Sequence, residues 1–124
     1  MPIEYAIDAE QRLVQTLAWG ALTIEEILAV RERMRSDPQF DPTYHELMDM
    51  TATDAVTFSA EEIRRLASGS VLAPGVRRAF VVSSTSNFGL ARMFEAYAAT
   101  NSQFVSVFRD LGQAQAWLAE ARDT

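Results

Sequence analysis

Val76-Arg77-Arg78-Ala79-Phe80-Val81-Val82-Ser83-Ser84, then Thr85-Ser86-Asn87-Phe88-Gly89, then Leu90-Ala91-Arg92-Met93-Phe94-Glu95-Ala96-Tyr97, is the stretch that decides the fold. Ala79-Phe80-Val81-Val82 is a short apolar run rich in β-formers, bounded by arginines and serines. An unbroken run of this kind predicts a strand covered on both faces, because a half-exposed strand alternates. After the polar turn, Leu90, Met93, Phe94 and Tyr97 recur at helical spacing, with Arg92 and Glu95 opposite them. Burial of Phe94 alone is worth about 2–3 kcal/mol. Strand, hydroxyl-rich turn and helix make the repeating unit of an α/β sheet.

Working outward, Ile3, Tyr5 and Ile7 alternate with Glu4, Ala6 and Asp8, which predicts a half-buried strand. The polar Asp8-Ala9-Glu10-Gln11 turns the chain into a second strand, residues 12–19, closed by Gly20. Thr23 with Glu26, and later Ser59 with Glu62, are capping boxes that open two helices. In the first of these helices Arg31 falls inside the apolar stripe, where its stem would line the core and its head reach water. Residues 44–50 form the strand between those helices. Val71-Leu72-Ala73-Pro74-Gly75 is an apolar loop, and Phe104-Val105-Ser106-Val107-Phe108 is the last strand. Asp110, with Gln113 three residues on, caps the last helix, whose inner face carries Ala114, Trp117, Leu118 and Ala121.

The fold class expected is therefore α/β, in the order ββαβαβαβα. It is a mixed, mostly parallel sheet of about four to five strands with an N-terminal β-hairpin and four helices. The 124 residues suit one domain, spanning 1–124. Met1-Pro2-Ile3-Glu4 lacks the basic and apolar regions of a signal peptide, so a cytoplasmic location is expected. With no cysteine, disulfides, thiol nucleophiles and thiolate metal sites are excluded. A formal charge of −6 argues against nucleic acid as a partner and limits membrane contact to the peripheral kind.

At the level of motifs, several segments carry a likeness. They are Gly20 before a capped helix, Asp49 ending the third strand, Phe88-Gly89-Leu90-Ala91-Arg92-Met93-Phe94-Glu95-Ala96, and Val107-Phe108-Arg109-Asp110 leading to Ala116-Trp117-Leu118. With these the chain resembles the SpoIIAA-like, STAS-related proteins of bacteria over nearly its whole length. The resemblance implies a sheet of this size with helices packed against it. For the regulatory branch it implies protein-binding switches phosphorylated on a hydroxyl after the third strand. For the branch this chain resembles more, it implies small apolar ligands or membrane contact. The regulatory proteins carry Asp-Ser-Ser-Gly where this chain has Asp49-Met50-Thr51-Ala52-Thr53-Asp54. Asp49 is kept and Thr51 is the one hydroxyl among the matching positions, a departure that counts against phosphorylation.

The residues themselves point to binding rather than catalysis. His45, the one histidine, reads as a hydrogen-bonded structural imidazole on the side shared with Leu47 and Asp49. No metal-ligand spacing is present, no cofactor is implied, and Ser83, Ser84 and Ser86 have no evident base. A non-enzyme is expected. Ser84, Ser86 and Asn87 lie at the carboxyl end of the central strand, where open α/β sheets place ligands, and the plainer reading, which can coexist with that one, makes Ser86 or Asn87 the N-cap. Met48, Met50, Phe58, Leu72, Phe88 and Met93 supply apolar surface around the short second helix. These two groups form the expected binding site for a small apolar or amphipathic ligand, lipid-like in kind, beneath a mobile second helix. The alternative is a regulatory switch that docks a protein partner around Asp49 and Thr51, and a homodimer also stays open.

Overall fold

The computed structural model describes residues 2–122. The alternating N-terminal segment forms β1 (Ile3–Asp8), which turns back into β2 (Leu13–Gly20). These two strands pair antiparallel, with Ile3 opposite Ala18 and Asp8 opposite Leu13. Arg12, expected to open the second strand, lies in the turn at φ +55°, a left-handed conformation that a strand residue does not adopt. Gly20 ends β2 at φ +63°, the conformation that glycine takes without steric cost.

Three β-α units follow. They are α1 (Ile24–Arg35), β3 (His45–Thr53), α2 (Ala60–Ser68), β4 (Arg77–Val81), α3 (Thr85–Ala99) and β5 (Phe104–Phe108), with α4 (Leu111–Arg122) closing the chain. Both capping boxes are present. The Glu26 amide donates to Thr23 Oγ1 at 3.2 Å and the Thr23 amide to Glu26 Oε1 at 2.9 Å. The Ser59–Glu62 pair repeats this at 3.1 and 2.9 Å. β3 continues beyond the expected end at Met50, because a register shift between Leu17 and Trp19 lets Ala52 and Thr53 keep pairing with Trp19 and Gly20.

The five strands lie in the order β1-β2-β3-β4-β5, parallel from β2 onward. Successive right-handed crossovers laid down in one direction put their helices on one face of a sheet. Accordingly α1, α2 and α3 share a face and the larger core, around Val14, Met48, Phe80 and Phe94. α4 follows the last strand and packs on the other face, over Leu47, Ala79 and Val81, through Ala114 and Leu118. That single helix covers β3 to β5 and leaves the outer side of the hairpin open, with Leu17 and Trp19 exposed. No helix among the described residues is long and apolar enough to cross a membrane.

Candidate functional site

Period-two alternation sends Glu46, Met48 and Met50 of β3 to the three-helix face. Register then aligns two rows across the sheet. Thr16, Met48, Phe80 and Val107 form one, and Val14, Glu46, Arg78 and Val105 the other. Between these rows and α1–α3 lies a cavity of about 60 Å³. Its apolar wall includes Met34, Met48, Met50, Phe58, Phe80 and Phe94. A volume of this size accepts about four waters and falls well below the ~300–1,000 Å³ of pockets for drug-sized ligands. Any larger guest requires the walls to move.

The cavity also has a polar side. Arg78 Nε donates to Glu46 Oε1 at 2.9 Å, and the two side chains are only 4% and 9% exposed. Arg78 Nη1 also donates to Gln103 Oε1, whose Nε2 in turn donates to the Ala67 carbonyl at 2.9 Å. The Phe80 and Phe94 rings stack 5.0 Å apart, and the Arg78 guanidinium lies 5.5 and 5.4 Å from their centres. Arg31 is half-buried, and its head is anchored rather than free. Its Nη1 donates to the Leu66 carbonyl at 2.8 Å, at the carboxyl end of α2, where free carbonyls and the helix dipole favour a cation. Burial first, and then the nearby Arg78 charge, lower the Arg31 guanidinium to about 10, with Glu46 acting in the opposite sense. Thr16 is 4% exposed, and its hydroxyl has no hydrogen-bond partner among the described residues.

The structure brings together four of the residues expected to bind ligand, since Met48, Met50, Phe58 and Asn87 all line this cavity. Asn87 is committed to the protein itself. Its Oδ1 accepts from the Val56 amide at 2.9 Å, and its Nδ2 donates to Thr53 Oγ1 at 3.2 Å and to the Asp54 carbonyl at 3.1 Å. It thereby ties α3 to the loop that carries Val56 and Phe58 into the cavity wall. The N-cap of α3 is Ser84, not Ser86 or Asn87, because Ser84 Oγ accepts from the Asn87 amide at 3.0 Å. Ser86 is exposed beside it. Leu72 is buried but does not line the cavity, and Met93 packs against the core from its edge. Phe88 also stays outside, with the Arg109 guanidinium 4.4 Å from its ring centre.

Asp49 and Thr51 belong to a different place. Asp49 points to the α4 side and lines an open groove of about 330 Å³ with Glu4, Leu17, Leu47 and Leu111. Its Oδ1 accepts from the Thr51 amide at 3.0 Å and from the Thr51 hydroxyl at 2.7 Å. Thr51 lies within β3. Ser83 Oγ donates to the Thr51 carbonyl at 2.9 Å, which puts the serine cluster and the end of β3 on one rim. The His45 imidazole accepts from the Arg77 amide at 2.9 Å through Nδ1, a structural bond between adjacent strands. Among the described residues no three His, Cys, Asp or Glu side chains group as a metal site requires.

No protein-family model matches the chain, and no curated protein does. Its structure is similar to the crystal structure of an uncharacterised DUF3478-family protein with a SpoIIAA-like fold from Shewanella loihica PV-4. The TM-score is 0.61 with 20% sequence identity, and the match covers 94% of this chain and 93% of the other. The chain therefore has a SpoIIAA-like fold.

Proposed function

We propose that this protein is a non-catalytic binding module that takes a small amphipathic molecule into the cavity between the sheet and α1–α3, with α2 as the movable cover. The observation that carries this reading is the mixed lining. Methionine and phenylalanine side chains share the wall with a hydroxyl, an amide and three charged groups. Methionines adapt to guests of irregular shape. α2 is short, and the recorded hydrogen bonds that tie it to the rest of the fold come from side chains, Arg31 and Gln103 to its carbonyls and Arg64 to the Tyr97 hydroxyl, so the helix can lift without unpairing a strand. The one carboxylate in the lining, Glu46, is held by Arg78 and is not free to act as a base.

Native mass spectrometry against a panel of single-chain acids, alcohols and lysolipids tests the reading. One-to-one adducts are expected with the natural sequence. They should be lost in Ala91→Leu, which adds side-chain volume from α3 into the cavity wall. Absence of any adduct, or adducts indifferent to Ala91→Leu in a folded variant, would refute it.

A second reading, docking of a protein partner at Asp49 and Thr51, draws on the open groove beside them and on the exposed Leu17 and Leu111 at its edge. It requires that Leu17→Asp abolish a pull-down partner while leaving amphiphile adducts intact.

A further inference from the structure

The charges around the cavity do not balance. Arg31, Arg78 and Glu46 all line it, two guanidiniums against one carboxylate. Glu46 is engaged by Arg78 at 2.9 Å, and Arg78 finds its remaining partners in Gln103 and Ser70. Arg31 makes no ion pair among the described residues, and its recorded partners are the neutral carbonyls of Leu66 and Gly69. A planar guanidinium carries five donors, and Nη1 alone is used in those bonds. The Thr16 hydroxyl, buried in the same lining, has no partner among the described residues. A half-buried cation whose nearby carboxylate, Glu46, is already held by a second arginine is suited to an anion brought in by a guest.

We propose that the cavity selects amphiphiles with a carboxylate head, which pairs with Arg31, while the tail runs along Met48, Met50 and Phe94. The excess is a single positive charge, so a monoanion neutralises it and a dianion overshoots. Carboxylate geometry also matches the two-pronged donor face of arginine. The Thr16 hydroxyl is a second donor for an oxygen of the guest. Because the guanidinium also holds the carboxyl end of α2, a guest that draws the Arg31 head inward loosens the cover. This inference rests on the binding reading above.

Calorimetric titration at pH 7 with octanoate and with octanol separates the two, since their tails match and only the head changes. Octanoate is expected to bind about tenfold or more tightly than octanol, a margin typical of one charge-assisted pair. Arg31→Gln should erase that margin, and Arg31→Lys, which keeps the charge but not the two-pronged donor face, should keep only part of it. Circular dichroism establishes that each variant is folded, and the comparison in the natural protein needs no variant at all. Equal affinity for the two ligands would overturn the carboxylate assignment and leave the binding reading standing. Binding of neither would overturn both. An octanoate margin that survives Arg31→Gln would overturn the role of Arg31.

Discussion

Removing Glu46 should cost more than removing Arg78, although the two form one ion pair. Both side chains are almost fully buried, at 9% and 4% exposure, and they meet at 2.9 Å across adjacent parallel strands. Breaking a buried pair from one side typically costs about 3–5 kcal/mol, because the survivor is left without compensation. Here the survivors differ. Glu46→Leu leaves Arg78 and Arg31 facing one cavity with no carboxylate, so the full ~4 kcal/mol or more is expected. Arg78→Met leaves Glu46 with Arg31, one charge of each sign, and the loss should fall to about 2 kcal/mol. The double variant replaces the pair by apolar groups of similar size and should lie within about 1–2 kcal/mol of the natural protein. Urea denaturation of the four proteins gives these values and the coupling energy directly. If Arg78→Met is the more damaging single change, the charge count in the cavity is wrong. If the single losses simply add, the pair is not the buried unit described.

Phe94→Ala should destabilise by about 3–5 kcal/mol in the same assay, since the ring is 4% exposed and stacked 5.0 Å from Phe80. A loss below about 1 kcal/mol would mean that α3 presents another face to the sheet. Asn87→Leu strips partners from the Val56 amide, the Thr53 hydroxyl and the Asp54 carbonyl. It should cost about 2–3 kcal/mol and speed amide exchange in residues 54–58, and unchanged exchange there would contradict its bracing role. The Asp37 carboxyl is held below its usual range by the Gln39 amide and then by the Tyr5 hydroxyl, which donates at 2.8 Å. A lowered folded-state value means stability that is present above the unfolded pKa of about 3.9 and is lost as pH falls through the folded one. Asp37→Asn should therefore flatten the fall in the urea midpoint below about pH 4, and an identical acid limb in both proteins would refute the assignment.

The fold was legible because its local signals agree. The apolar run Ala79-Phe80-Val81-Val82 falls on an inner strand except for Val82, which lies one residue beyond its end, both capping boxes are formed, and a hairpin precedes the three crossovers. Boundaries slipped where tertiary pairing overrode local pattern, as in the last residues of β3, which look like a polar loop but are held by the shifted register of β2. The apolar half of the cavity was legible in Met48, Met50 and Phe58. Its polar half was not. Arg77-Arg78 reads as the boundary of a strand, and Glu46 reads as surface, because charges are seldom buried unless paired. The signal available was period two, which puts Glu46 on the side of Met48 and Met50. Its partner sits on another strand, and only the register of β3 against β4 reveals it. Ser84, Ser86 and Asn87 looked like a polar rim for a ligand. In the structure Ser84 caps α3 and Asn87, which lines the cavity, also ties down a loop, because free helix amides and buried loop groups claim nearby polar side chains.

The methionines offer the most direct measurement of whether a guest enters this cavity. With methyl-labelled methionine, intermolecular nuclear Overhauser effects from the octanoate chain should reach Met34, Met48 and Met50, which line the cavity, and should miss Met93, which does not. Effects confined to Met93, or none to any of the three lining methyls at saturating octanoate, would contradict the account.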